Sequence, residues 1–477
     1  MIYWSNMRKL VILKYLGKVL IVFGLLLTLP VIVAIAFREN PNPFVITMII
    51  SFSIGWFLNG VIDLQAFLFS KDAIVIVALS WVVICLLGAL PFYLNCNISF
   101  LDALLESTSG FTTTGISIFT DVESLDNSIL FWRSYTQFIG GLGILAIVML
   151  TIPLDKEDKS VHILETEMSS LNTIKLVPNI KKTLVYLYGI YGGLMFLQII
   201  LLMLGKLNFF DSLLLSMGTA ATGGFAIFND GVSSLSSYNQ IIIAIFMLAF
   251  GINFKTYFFI LIKHYKRAFD QEELKMYWKI IIVFFIILAA NSFVLFGYLG
   301  QTLKMSFFYV SSAISSTGFT YGNINYSTQC QWLLMVLMFI GACSGSTGGG
   351  VKISRILICR KMLKKELIQL VNPSRIYTIT YNHKSVSEET YQRVSCYLFA
   401  SIILIILSTF ILGLNNLNNL QSFNVVIATF TNSGISFNFN DFINLSSFSK
   451  VILNIIMLMG RLEIYPLIVL PQFILSK

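Results

Sequence analysis

Apolar runs follow one another along the chain with little between them, near 10–36, 44–69, 73–94, 129–150, 184–204, 240–262, 280–299, 398–414 and 448–472. Each is long enough, or nearly so, to cross a hydrocarbon core about 30 Å thick as a helix. With the glycine-interrupted stretch 329–371, about ten crossings are predicted. The first run follows Arg8 and Lys9 as a signal peptide would, yet it is about twice the length of an apolar signal region and lacks a small-residue cleavage site. It predicts a retained helix, and residues 1–70 form a two-helix hairpin with a tight outer turn at Arg38–Pro43.

From residue 72 onward a unit repeats: a full-length apolar run, a half-length apolar segment, a Thr/Ser-Gly pair, a polar stretch and another apolar run. The half-length segments are 101–112, 211–220, 306–315 and 422–431, too short to span and suited to re-entrant helices. Each opens on a residue able to cap a helix: Asp102, Asp211, Ser306 and Ser422. The pairs that follow are Thr114-Gly115, Thr222-Gly223, Thr317-Gly318 and Ser433-Gly434, whose glycines lie 223−115 = 108, 318−223 = 95 and 434−318 = 116 residues apart. Four equivalent modules are implied, over 71–155, 178–267, 274–372 and 390–477. The expected fold is an all-α polytopic membrane protein.

Composition agrees and charge adds direction. Of 477 residues 56% are hydrophobic and 12% charged, and the mean hydropathy is +0.81. The formal charge of +9 would raise the question of nucleic acid in a soluble protein. Here most Lys and Arg fall at the N-terminus, near 71, and in 156–182, 263–279 and 352–393, while 95–128 and 413–447 contain neither. By the positive-inside rule the basic segments and the N-terminus are cytoplasmic, beside anionic lipid headgroups, and the Thr/Ser-Gly loops approach from outside. The six cysteines lack ligand spacing; only Cys96 and Cys330 fall near outer loops, where a disulfide is possible but not favoured. His162, His264 and His383 have no partners at metal spacing, so no metal centre is expected.

A short helix that dips inward and stops aims the negative end of its dipole at the point where four copies meet. Glycine lets the backbone turn its carbonyl oxygens toward a narrow axis, where they can replace the hydration shell of a cation. This predicts backbone-carbonyl ion sites at Thr113, Thr114 and Gly115; Ala221, Thr222 and Gly223; Ser316, Thr317 and Gly318; and Asn432, Ser433 and Gly434.

These loops, with GACSGSTGGGVKISR (341–355), FIGGLGI (138–144) and GRLEIYPL (460–467), resemble the Trk/Ktr/HKT superfamily of potassium transport proteins, with the bacterial TrkH-type membrane subunit as the nearest pattern. The resemblance covers essentially the whole chain, including the N-terminal hairpin. It implies four M1-P-M2 potassium-channel-like repeats around one pseudo-fourfold pore, a homodimer in the bacterial inner membrane, and filter glycines at Gly115, Gly223, Gly318 and Gly434. Glycine rather than serine at 115 favours potassium over sodium. The fourth loop departs from the family pattern, with Ile435 and Phe437 after its glycine, and reads as the odd quarter. The resemblance also implies a cytoplasmic TrkA- or Ktr-type regulatory ring that binds NAD(H) or ATP/ADP and docks on the basic segments. This chain has no nucleotide-binding motif of its own and needs no cofactor beyond K+ as cargo.

Two features predict a gate. Gly341 and the run Gly345, Ser346, Thr347, Gly348, Gly349 and Gly350 interrupt an apolar helix, placing an intramembrane loop over 341–350 or, alternatively, a cytoplasmic hinge. Arg461 stands about thirteen residues into the last helix, roughly 20 Å from its outer end, where a charge needs a partner or water. Either it pairs with Glu463 or it projects into the pore against the 344–350 loop. Lys255 is expected in a structural pairing ahead of a pore role, Lys352 and Arg355 mark the inner boundary, and Glu106 with Arg133 form an anchoring pair at the outer interface. A sodium-selective or Na+/H+-coupled secondary transporter is the alternative function, although such folds show inverted halves where these four repeats share one orientation. An intramembrane enzyme would need a nucleophile with a base or a carboxylate pair, and the membrane segments offer neither.

Overall fold

The computed structural model describes residues 2–61, 70–143, 180–322, 326–375, 377–382, 384–414, 417–437, 442 and 445–475. Among these the only strands are the two-residue β1 (Thr380–Tyr381) and β2 (Lys384–Ser385), paired antiparallel. The rest of the regular structure is helical, as periodicity and composition require.

The N-terminal hairpin consists of α1 (Ile2–Leu26), α2 (Thr28–Ala36) and α3 (Asn42–Val61). Gly17 and Gly55 face each other across α1 and α3, where an added Cβ would lie 2.9 Å from the opposite carbonyl oxygen. Such close helix approach is what small residues permit in a membrane. Glu39, in the turn before α3, accepts the backbone N–H groups of Asn127 and Ser128, both at 2.8 Å. Its carboxylate therefore caps the first turn of the helix Asn127–Leu142 from outside that helix.

The four units then follow in order. The first holds α4 (Ser70–Asn95), α5 (Phe100–Phe111) and α6 (Asn127–Leu142). The second holds α7 (Ile180–Leu204), α8 (Phe209–Ala220), α9 (Ser237–Phe250) and α10 (Phe254–Leu261). After the short α11 (Tyr265–Phe269) come α12 (Glu272–Phe296), α13 (Leu299–Ser315), α14 (Thr328–Ile340) and α15 (Ile353–Val371). The last unit holds α16 (Glu388–Gly413), α17 (Asn419–Phe430), α18 (Ser447–Arg461) and α19 (Tyr465–Leu475). In every unit the short helix packs against both the long helix before it and the helix after it.

Six described helices are long and apolar enough to span a membrane, and α9 with α10 makes a seventh, bent by 91°. The sequence predicts about ten crossings, one of them interrupted by glycines. The difference lies in the second helix of the repeats, which breaks at Gly251–Asn253, at 341–352 and at Leu462–Ile464. The pieces are too short to span by themselves, except α15, whose 19 residues include Arg355, Arg360, Lys361, Lys364, Lys365 and Glu366 and are too polar. α6 ends at Leu142 with Gly143 as its cap, the last described residue before 144–179.

The helix caps also differ from expectation. Ser99 and Asn208 cap α5 and α8, accepting the N–H groups of Asp102 at 3.2 Å and Asp211 at 2.7 Å. Asn418 and Gln421 cap α17 reciprocally. Asp102, Asp211 and Ser422 therefore sit in the first turn or just beyond it, and Ser306 lies inside α13, which starts at Leu299 without a side-chain cap. For α5, α8 and α17 the shift is three or four residues (102−99 = 3, 211−208 = 3, 422−418 = 4), about the spacing of a cap side chain from the backbone group that it receives. The cap position of α13, Tyr298, instead lies eight residues before Ser306 (306−298 = 8).

Candidate functional site: a ring of four loops and the loop beneath it

Each short helix ends in the same turn. The N–H groups of Thr113, Thr222, Ser316 and Asn432 donate to the carbonyls of Gly110, Thr219, Ala313 and Thr429 at 3.0–3.3 Å. Those of Thr114, Gly223, Thr317 and Ser433 reach back to Ser109, Gly218, Ser312 and Ala428 at 2.8–3.0 Å. These paired bonds define a Schellman end, whose left-handed position usually belongs to glycine. Here it is taken by Thr113 (φ 56°), Thr222 (φ 53°), Ser316 (φ 57°) and Asn432 (φ 52°). For a non-glycine residue that conformation costs on the order of 1–2 kcal/mol, and it recurs four times, as held strain does at functional sites.

Two residues further on, a second left-handed position is glycine in all four loops: Gly115 (φ 81°), Gly224 (φ 69°), Gly318 (φ 90°) and Gly434 (φ 61°). A side chain at Gly115 would collide with the carbonyl oxygen of Gly223, one at Gly224 with that of Thr317, one at Gly318 with that of Ser433, and one at Gly434 with that of Thr114. Each loop thus touches the next and the fourth touches the first. Four glycines and four carbonyls close a ring.

This ring corrects the register of the second loop. Thr222 stands at the position of Thr113, Gly223 at that of Thr114, and Gly224 at that of Gly115, whereas Ala221 is only the last cap of α8. The Thr-Gly pair misleads there because a second glycine follows. The fourth loop, expected to be the odd quarter, has the same two left-handed positions as the others, with Ile435 wholly buried behind them.

On one side of the ring lies a cavity of about 290 Å³, which Gly115, Gly224, Gly318 and Gly434 all line. Asp230 and Arg133 are among its other walls. Asn229 ties the first two outer segments together, receiving the N–H of Val122 at 2.7 Å and donating to Asp121 at 2.9 Å. That donation, chief among several hydrogen bonds, holds the Asp121 carboxyl below its ordinary value. Glu106 and Arg133 do pair, at 2.8 Å, but not as an interfacial anchor: both are buried behind the first two loops. Glu106 accepts from Ile118 N–H at 3.0 Å, and Arg133 donates to the carbonyl of Ala226 at 3.0 Å and lies 4.4 Å from the ring of Phe225.

On the opposite side, residues 341–352 run beneath the ring and engage the ends of three short helices. Thr347 Oγ1 donates to the carbonyl of Ala220 at 3.0 Å, Gly350 N–H to that of Thr431 at 3.0 Å, and Gly349 N–H to Ser316 Oγ. Among the other expected gate residues, Gly345 accepts from Phe254 N–H at 3.1 Å, Ser346 bonds back to Cys343 at 2.6 Å, and Gly348 accepts from Lys352 Nζ. The stretch is packed against the ends of the short helices. Arg461 completes the layer, donating to the carbonyls of Thr347 at 3.3 Å, Gly141 at 2.7 Å and Gly140. Gly140 itself abuts the carbonyl of Phe111, at the end of the first short helix. Glu463 pairs instead with Arg355. Glu273, at the start of α12, accepts from Ser344 N–H at 2.6 Å and from the Tyr381 hydroxyl at 3.2 Å, connecting the loop to the β1–β2 hairpin. Lys255 points along its own helix toward the ring of Phe259, 5.8 Å away. Among the described residues no His/Cys/Asp/Glu group could hold a metal ion, and all six cysteines are free thiols.

Residues 42–476 match the family described as TrkH, cation transport protein. The chain belongs to the TrkH family. It is 30% identical to the Trk system potassium uptake protein TrkH of Escherichia coli K12, over 96% of this chain and 97% of that protein. It is 32% identical to an uncharacterised cation transporter of Methanocaldococcus jannaschii, over 96% of this chain and 94% of that one. The crystal structure of the potassium transporter TrkH from Vibrio parahaemolyticus superposes with a TM-score of 0.85 at 28% identity, covering 97% of this chain and 98% of that one. Membership in a cation transport family, with the apolar spans, makes the chain a multi-pass membrane protein.

Proposed function

We propose that the chain carries potassium into the cell down its electrochemical gradient, through the ring formed by Thr114-Gly115, Gly223-Gly224, Thr317-Gly318 and Ser433-Gly434. The observation that carries this reading is the closure of four non-identical loops, glycine against carbonyl, over a cavity open to all of them. Backbone carbonyls in such a ring can replace a hydration shell without any carboxylate, and the dehydrated ion meets the negative ends of four short helices. The relatives named for potassium uptake agree with this choice of ion.

In this reading the 341–350 loop and Arg461 form the closed gate: the loop covers the second, third and fourth quarters and the guanidinium covers the first. The charge repels cations where the backbone alone would attract them. A cytoplasmic nucleotide-binding ring would act on the gate from the basic segments 263–279 and 352–393; most of 156–182 lies outside the described residues. The chain works as a homodimer in the inner membrane with its N-terminus inside.

Selectivity tests the ring. Gly115→Ser and Gly224→Ala should each lower K+ over Na+ permeability, because a Cβ at either position displaces a neighbouring carbonyl. Unchanged selectivity in both would overturn the assignment.

A further inference from the structure

Behind three of the four ring carbonyls stands a pair of hydroxyls supplied by the same loop. Thr112 Oγ1 and Thr114 Oγ1 are 2.7 Å apart, Ser315 Oγ and Thr317 Oγ1 2.7 Å, and Thr431 Oγ1 and Ser433 Oγ 3.0 Å. The first member of each pair also donates to a carbonyl of its own helix four residues back, at 2.6–2.7 Å. All six side chains are buried. In the second loop the equivalent residues are Ala221 and Gly223, and neither has a hydroxyl.

The space is filled from another element. Gln137 of α6 is wholly buried, and a Cβ on Gly223 would lie 2.5 Å from its carboxamide carbon and 2.8 Å from Nε2 and from Oε1. Gln137 Oε1 accepts the N–H of Phe225 at 3.2 Å, just after the ring glycine Gly224, and Nε2 has no hydrogen-bond partner among the described residues. Gly223 itself is not in a left-handed conformation, so its backbone does not require glycine. The neighbouring carboxamide does.

Building on the potassium reading, we infer that Gln137 is a specificity-determining positioning residue, whose carboxamide replaces the missing hydroxyl pair and buttresses the second quarter of the ring from the preceding repeat. In three quarters the hydroxyl pair comes from the loop itself, with Asn432 Nδ2 also donating to Thr114 Oγ1 at 2.9 Å; in the second quarter the whole counterpart comes from a different repeat. The pore's fourfold symmetry is therefore broken at the second loop.

The test is a rescue, read as K+/Na+ permeability ratios of the full-length protein in planar bilayers. Gln137→Ala is expected to lower the ratio about fivefold, the effect of one buried hydrogen bond, and Gly223→Ser to lower it as well by colliding with Gln137. Together, Ala221→Thr, Gly223→Ser and Gln137→Ala restore a hydroxyl pair in place of the carboxamide, and the ratio should recover. A Gln137→Ala ratio equal to wild type, or a triple variant worse than the sum of its parts, overturns the inference. If Gln137→Ala does not reach the membrane, Gln137→Asn, which withdraws the amide by one methylene, is read for the same loss. Gly224→Ala separates the two levels. If it lowers selectivity while the Gln137 variants do not, this inference alone fails; if it too is silent, the ring reading falls and this inference with it.

Discussion

Arg133 Nε lies 2.8 Å from Glu106 Oε1, with 2% and 0% of the two side chains exposed, and the pair reaches both the first and the second ring loops. Removing one partner leaves the other charge buried, which costs about 3–5 kcal/mol, whereas replacing both with apolar residues of similar size is often close to neutral. Arg133→Leu should therefore lower the thermal midpoint of the purified protein strongly, and Arg133→Leu with Glu106→Leu should lower it less. A double variant at least as unstable as the single would show that the pair matters for more than charge balance.

Arg461 donates to carbonyls on both the 341–352 loop and α6. If it closes the pore, Arg461→Ala should raise the closed-state leak and the conductance, while the ratio of K+ to Na+ permeability stays that of wild type because the ring is untouched. Single-channel recording checks both quantities. Leak and conductance both equal to wild type would remove Arg461 from the gate.

Glu39 holds two N–H groups at the start of α6 from the N-terminal hairpin. Burial alone would raise its pKa; hydrogen bonds from Ser128 and Asn127 outweigh burial, and the carboxyl falls below its ordinary value of 4.5. A depressed acid contributes stability above its unfolded value and loses it as pH falls through the lower folded value. The docking of the hairpin should thus persist at neutral pH and weaken only below about pH 4.5. Glu39→Gln should remove that acid-sensitive component and cost about 1 kcal/mol at pH 7, the size of a lost helix cap. Thermal melts of both proteins between pH 7 and pH 4 show whether the difference closes on acidification.

Much of the architecture was legible in the order of apolar runs, because a half-length run before a Thr/Ser-Gly pair cannot cross a membrane and is too apolar to leave it, so it must dip in and stop. The positions of the breaks were less so. Leu462 to Ile464 looks like helix in sequence, and only packing turns Glu463 (φ 58°) and Ile464 (φ 68°) left-handed. The cap residues were displaced because an aspartate in a first turn and the serine or asparagine capping it carry the same kind of signal. In the second loop the repeated Thr-Gly pair itself misled: aligning Thr222-Gly223 with Thr114-Gly115 matches the letters, while the backbone aligns Gly223-Gly224. Gln137 left no local trace, since the loop that it supports lies some 86 residues away along the chain (223−137 = 86). A glycine without a left-handed conformation could have pointed to it only once the structure was in hand.

The reversal potential of the purified protein between asymmetric K+ and Na+ solutions tests the central claim most directly. A ring of four loops conducting potassium predicts a current that reverses close to the K+ equilibrium potential and flows without any imposed proton gradient. A reversal that follows Na+, or ion movement only when a proton or sodium gradient is applied, would contradict it.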